Sequence, residues 1–82
     1  MEKDQQFVED VVKAIVDLPE KVTTERSIDE MGVLIKLTVD PSDMGKVIGK
    51  GGKIIKAIRN IMKIKAIKDQ KRIMVNLVDH AN

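Results

Sequence analysis

The stretch GKVIGKGGKIIKAIR, Gly45–Arg59, places four glycines and five basic side chains within fifteen residues. A glycine run costs conformational entropy and clustered positive charge repels itself, so the stretch points to an anion held close to the backbone. Two familiar phosphate loops are excluded by spacing. A Walker A loop requires Gly, four residues, then Gly-Lys-Ser/Thr. Here Gly45 is followed five places on by Lys50, and Gly52-Lys53 is followed by Ile54, which has no hydroxyl for magnesium. A dinucleotide fingerprint requires G-x-G-x-x-G directly between a strand and a helix. Gly49-Lys50-Gly51 begins one, but Ile54 occupies the third glycine position and a helix precedes the loop.

Working outward, Gly52 to about Ala66 reads as a helix with Ile54, Ile55, Ile58, Ile61 and Met62 inward and Lys53, Lys56, Arg59 and Lys63 outward. Before the loop, Asp40-Pro41-Ser42-Asp43 reads as a helix start, with Asp40 as cap, Pro41 in the first position and Asp43 complementing the dipole. That helix is short, because Gly49 arrives two turns later as a stop. Val33–Val39 alternates as a strand, with Val33, Ile35, Leu37 and Val39 on one face. Lys21–Ile28 is polar enough for an edge strand, joined to it by Asp29-Glu30-Met31-Gly32, where Gly32 offers a positive φ. Residues 4–18 space Phe7, Val8, Val11, Val12, Ile15 and Leu18 along one helical face, with Asp4 as N-cap and Pro19 as stop. Arg72–Val78 alternates as a third strand. The expected fold is α+β, in the order α-β-β-α-α-β. Two helices join strands 33–39 and 72–78, so that pair should be parallel with a right-handed crossover. All three helices then pack on one face of a mixed three-stranded sheet.

With those elements in place, Val47-Ile48-Gly49-Lys50-Gly51-Gly52-Lys53-Ile54-Ile55 resembles the KH motif V-I-G-x-x-G-x-x-I, with Gly49–Gly52 as the GXXG loop. The element order looks like the type II KH arrangement. The resemblance extends over nearly the whole chain, a single domain with an ordered core over about residues 4–79 and a short tail, His80-Ala81-Asn82. At this length it is most similar to the small bacterial KhpA RNA-binding family. One departure is Gly51, where KH loops often carry a larger polar or basic side chain. The resemblance implies a clamp on the backbone of single-stranded RNA, spanning about four nucleotides. It would use Gly49, Lys50, Gly51 and Gly52, with charge from Lys46, Lys53 and Lys56. Bases would lie over an apolar floor of Val47, Ile48 and Ile55, with strand 33–39 as the far wall; Ile48 and Ile55 are equally ordinary core candidates. The resemblance also implies an RNA chaperone linked to cell shape and cell-wall homeostasis, a homodimer, and pairing with a larger KH-containing protein of the KhpB/Jag type.

Composition bounds the alternatives. Eighty-two residues with 43% apolar and 34% charged content describe one folded domain with a modest core. There is no cysteine, no apolar run long enough to span a bilayer and no secretory signal in MEKDQQFVED, so a cytoplasmic protein without cofactor, metal or membrane association is expected. The net charge of +2 conceals a division: residues 1–44 carry five bases and eleven acids, residues 45–72 ten bases and Asp69 alone. Such asymmetry suits a polyanion partner for the second half. Phe7 is the single aromatic residue, which excludes base-stacking platforms. His80 is the single histidine, and Ser27 and Ser42 have no partner for nucleophilic catalysis, so no enzyme is expected. A protein-interaction module and a binder of single-stranded DNA stay open, since no residue identifies a 2′-hydroxyl contact.

Overall fold

The alternating stretch after Gly32 becomes the spine of the sheet. The computed structural model describes residues 1–78, except for the Lys50 side chain. Asp79, at the end of the expected core, and the expected tail His80–Asn82 lie outside the described residues. Strand β1 is Thr23–Asp29, β2 is Gly32–Thr38 and β3 is Ile73–Leu77. Helix α1 is Lys3–Ile15 and α2 is Met44–Asp69, with short 3-10 turns at Pro19–Lys21 and Pro41–Asp43. The strand order is β1-β2-β3, antiparallel between β1 and β2 and parallel between β2 and β3. The parallel pair follows from the helical connection between its strands, which has length enough to return to the same end of the sheet.

The α-β-β-α-α-β order holds, with one difference in how the two middle helices meet. Helical hydrogen bonding runs through residues 44–69, and the backbone is turned left-handed at Gly51 (φ 75°) and Gly52 (φ 77°). Contrary to the expected helix stop, Gly49 ends no helix; its φ is not positive and it stays within the first arm. Two adjacent left-handed residues redirect the chain, so α2 consists of two arms over one sheet. The second arm ends at Gln70, left-handed with φ 56°, where Lys71 N–H donates to Ala66 O (3.0 Å) and Gln70 N–H to Ile67 O (3.2 Å). That is a Schellman stop without the usual glycine.

The core is aliphatic throughout. Val8, Val12 and Val16 of the first helical segment meet Val33, Ile35, Leu37 and Val39, while Val47 covers the sheet from the first arm of α2 and Ile55, Ile58 and Met62 from the second. Two residues expected to face inward do not. Phe7 is 39% exposed and Ile61 46% exposed, because they lie at the outer margin where α1 and α2 diverge.

Of the polar seams, only the Glu9–Lys13 pair is legible in the sequence, from its i,i+4 spacing. Asp4 is not an N-cap: it is buried and takes Arg26 in a two-point ion pair, Nε to Oδ1 at 2.9 Å and Nη2 to Oδ2 at 3.2 Å. Beside it, Gln5 Nε2 donates to Thr24 Oγ1 (2.9 Å), Thr24 Oγ1 donates to Glu9 Oε2 (2.8 Å), and Lys13 Nζ lies 2.8 Å from Glu9 Oε1. The Lys13 and Thr24 hydrogen bonds hold the Glu9 carboxyl below the usual carboxylate range, against the opposing effect of burial. The inward residues of β1 are therefore polar because α1 supplies polar partners. Asp43 is likewise more than a dipole complement. It is buried, and its two oxygens accept from the N–H groups of Asp17 (3.1 Å) and Leu18 (3.0 Å), fastening the end of the first helical segment to the start of α2.

Gly32 has the tightest surroundings of the five glycines. Its φ of 119° takes up the hairpin twist, and a Cβ there would lie 2.5 Å from Arg72 O and 2.7 Å from Arg72 Cβ. Since Val33 N–H donates to that same Arg72 carbonyl (2.8 Å), neither strand can give way without breaking the start of the β2–β3 ladder. Gly32→Ala should cost about 2–4 kcal/mol in urea unfolding. A loss below about 1 kcal/mol, within the range of an ordinary surface change, would contradict this close approach.

Candidate nucleic-acid interface

The site is built around the bend in α2. Gly51 and Gly52 occupy a region of φ that L side chains avoid, so the backbone itself requires glycine at both. This accounts for Gly51, the departure from the usual loop pattern: it is a conformational residue, not a lost contact. Gly49 has no such constraint, and a Cβ on Gly49 or Gly51 would meet nothing within 4 Å. The absence of side chains there serves no contact within the fold. It leaves bare backbone on the outside of the turn.

The expected charges are placed around this turn to different degrees. Lys53 and Lys56 are exposed on the second arm, and Lys56 Cε lies 3.8 Å from where a Cβ on Gly52 would sit, so this side chain folds back over the turn. Lys46 is exposed on the first arm and forms a 3.1 Å ion pair with Asp17, itself well exposed. An exposed pair of this kind is worth less than about 1 kcal/mol, so Lys46 exchanges partners at little cost. The Lys50 side chain lies outside the described residues.

The apolar floor divides. Ile48 is 45% exposed, Ile55 only 6%, and Val47 is fully buried beneath the first arm. Val47 therefore supports the turn from within and presents no surface. The expected far wall also changes. β2 is the central strand, flanked on both sides, whereas β3 is the edge strand beside the second arm of α2. A groove of about 250 Å³ lies there, lined by Arg59, Lys63, Ile73, Met74, Val75 and Asn76. Positions 52, 56, 59 and 63 follow one another by four, three and four residues, which is one stripe of a helix surface. Lys56, Arg59 and Lys63 thus lead from the glycine turn to the groove. Sequence reasoning placed Arg59 and Lys63 on the outer side of the helix and outside the candidate site; the 4-3-4 spacing counted from Gly52 would have singled them out. A second groove, about 400 Å³, lies between α1 and the second arm and is lined by Phe7, Ile61, Met62, Ile64 and the stems of Lys3, Lys65 and Lys68.

A three-stranded mixed sheet covered on one face by three helical segments, with a GXXG turn between the last two, defines a KH domain of type II. Comparison with known proteins gives the family. Residues 5–77 match the family model for the KhpA/KhpB KH domain, and the chain belongs to that family. It is 42% identical over 74 residues to an RNA-binding protein KhpA of Clostridium acetobutylicum, covering 90% of this chain and 99% of the relative. It is 43% identical over 74 residues to the protein of that name from Clostridium perfringens, with the same coverage. With that of Listeria monocytogenes it is 35% identical over 75 residues, covering 92% of this chain and 99% of the relative. No solved structure gives a significant match. Among the described residues no helix is long and apolar enough to cross a membrane, and no cluster of His, Cys, Asp or Glu has the makings of a metal site.

Proposed function

We propose that the chain binds single-stranded RNA by its phosphodiester backbone at the Gly49–Gly52 turn and acts as an RNA chaperone. The observation that carries this reading is the left-handed Gly51–Gly52 pair, with open space where Gly49 and Gly51 would carry a Cβ. A phosphate can approach the backbone there more closely than beside any other residue type. Lys46, Lys53 and Lys56 supply charge around it, and Ile48 offers exposed apolar surface beside it. The name shared by the relatives, RNA-binding protein KhpA, agrees with this ligand class. Membership in this family makes the chain a binding protein and not an enzyme. With no aromatic platform beside the turn, affinity rests on charge and backbone contact, so binding is modest, salt-sensitive and tolerant of sequence. Those are the properties of a protein that engages RNA transiently. The family resemblance extends the role to cytoplasmic RNA-level regulation linked to cell shape and cell-wall homeostasis.

Fluorescence anisotropy with a labelled single-stranded oligoribonucleotide tests the reading. Three phosphate contacts give a slope of about −2 in log affinity against log salt, so binding should weaken roughly tenfold or more between 50 and 200 mM salt. Lys50→Asp combined with Lys53→Asp should abolish binding while circular dichroism shows the fold retained. A flat salt response, or a double variant that binds like the parent, would contradict the phosphate clamp.

A second reading rests on a different face. Ile61, Ile64 and Ile67 are 46%, 69% and 78% exposed on the second arm of α2, with Phe7 beside them. The face is an apolar strip on a small domain, and the occupant is a second copy of the chain, as the KhpA resemblance implies. Lys65 on its rim is already paired with Asp69 (2.9 Å), which reduces repulsion between two such faces brought together. Sedimentation should show a dimer that Ile64→Glu converts to a folded monomer. A parent protein that is monomeric alone but complexes with a KhpB/Jag-type protein through the same residues would reassign the face to that partner. An Ile64→Glu variant that remains dimeric would remove this reading.

A further inference from the structure

The Asp17–Lys46 ion pair acquires a function that rests on the RNA-binding reading above. Asp17 Oδ2 lies 3.1 Å from Lys46 Nζ. Buried chemistry beneath the pair brings the two residues together. Asp43, 1% exposed, accepts from the N–H groups of Asp17 (3.1 Å) and Leu18 (3.0 Å). The backbone that carries the Asp17 side chain is therefore fixed against the start of α2. Lys46 stands midway between that anchor, Asp43, and the first glycine of the loop, Gly49. At this spacing Lys46 and Gly49 share a face of the first arm, one turn apart. The Asp17 carboxylate is thus held on the lysine nearest the loop from the first arm's side.

Neither charge serves the helix it adjoins. Lys46 is the third residue of α2, whose N-terminal end already carries partial positive charge. Asp17 follows the last turn of α1, where the partial charge is negative. Each charge would be better placed at the other end of its helix. A lysine at this position gains when an anion stands before it, and in the free chain that anion is Asp17. The pair is open to solvent, with the Lys46 side chain 42% and the Asp17 side chain 77% exposed, so it opens at small cost. Lys53 and Lys56, the exposed bases of the second arm, have no ion-pair partner among the described residues.

We propose that Asp17 is a built-in competitor of the RNA backbone: it holds Lys46 in the free chain and yields the lysine to a phosphate when a strand engages the glycine turn. A phosphodiester strand that displaces the carboxylate also gains the bare backbone of the turn and the charges of Lys53 and Lys56. An isolated anion has no such contacts to set against the opening of the pair. Asp17 therefore lowers the affinity of the clamp and biases it toward a continuous strand. It acts through Lys46 without touching RNA, which makes it a positioning residue.

Anisotropy with a labelled single-stranded oligoribonucleotide, at about 50 and about 200 mM salt, tests this role. Asp17→Asn removes the competitor and keeps the N–H that Asp43 holds. At the lower salt it should tighten binding about threefold, within the range of one exposed ion pair, and by less at the higher salt, where the pair is screened. Asp17→Glu keeps the charge and should bind within about 1.5-fold of the parent. Glu20→Gln removes an equal charge three residues on and should also stay within about 1.5-fold. Beside Lys46→Gln, the same Asp17→Asn change should alter affinity by less than about 1.5-fold, because the lysine it releases is gone. Thermal melting reports any change in the fold separately. A tightening by Asp17→Asn no greater than that by Glu20→Gln, or one undiminished beside Lys46→Gln, overturns the role of Asp17 and leaves the backbone clamp standing. A parent protein that binds no RNA at either salt overturns the clamp and the competitor together.

Discussion

Two adjacent left-handed residues in the middle of α2 are the constraint from which the rest of the structure follows. A straight helix of 26 residues would be about 39 Å long, longer than the 35 Å greatest dimension of the domain, and could not keep both ends on one small sheet. The turn at Gly51–Gly52 solves this by dividing the helix into two arms. The first buries Val47, and the second buries Ile55, Ile58 and Met62, all against the same inner strand residues. The conformation that lets the core close is also the conformation that bares the backbone to the outside. Fold and candidate site therefore share one structural element, and neither is an addition to the other.

The architecture was legible wherever a pattern had a period. The alternation in 33–39 gave the central strand, the three-and-four spacing in 4–18 gave α1, and the helical connection gave the parallel pairing of β2 with β3. Gly32 was legible because a tight connection between strands demands a left-handed residue somewhere. What escaped was chemistry without a period. Asp4 stands where an N-cap is plausible, and nothing local reveals that Arg26, far along the chain, closes on it. Asp43 reads as a helix-start acid, yet its carboxylate is spent on the backbone of Asp17 and Leu18. Gln70 ends α2 in a conformation usually given to glycine, so the helix runs three residues past the expected boundary.

The site shows the same division. The glycine motif and its flanking lysines were visible in the sequence, since glycines at that spacing between two helices mark the bare backbone directly. Which isoleucines and valines face the turn was not visible. Val47 and Ile48 are neighbours of the same apolar type, and only the sheet beneath them decides that one is buried and the other exposed. The strand beside the groove depends on sheet order: the chain runs through β2 before the helices, but β3, last in the chain, takes the edge next to the second arm. The partner of Arg59 depends on that edge, because its Nε donates to Val75 O (3.0 Å), a backbone carbonyl that no sequence pattern marks. The charge division along the chain has a matching outcome. Three acids of the first half, Asp4, Glu9 and Asp43, are drawn into seams with Arg26, Lys13 and backbone amides, while Lys46, Lys53, Lys56, Arg59 and Lys63 of α2 remain outside.

The central claim is that the glycine turn is the place where RNA meets the chain. Nuclear magnetic resonance titration of the isotopically labelled domain with a short single-stranded oligoribonucleotide, at low salt, tests it most directly. The amides of Gly49, Gly51, Gly52 and Lys53 should shift first and furthest, followed by the stripe through Lys56 and Arg59 to the β3 edge. Those shifts should fade as salt is raised. Shifts confined to α1 and the Ile61–Ile67 face, with the glycine amides unmoved, would contradict the account.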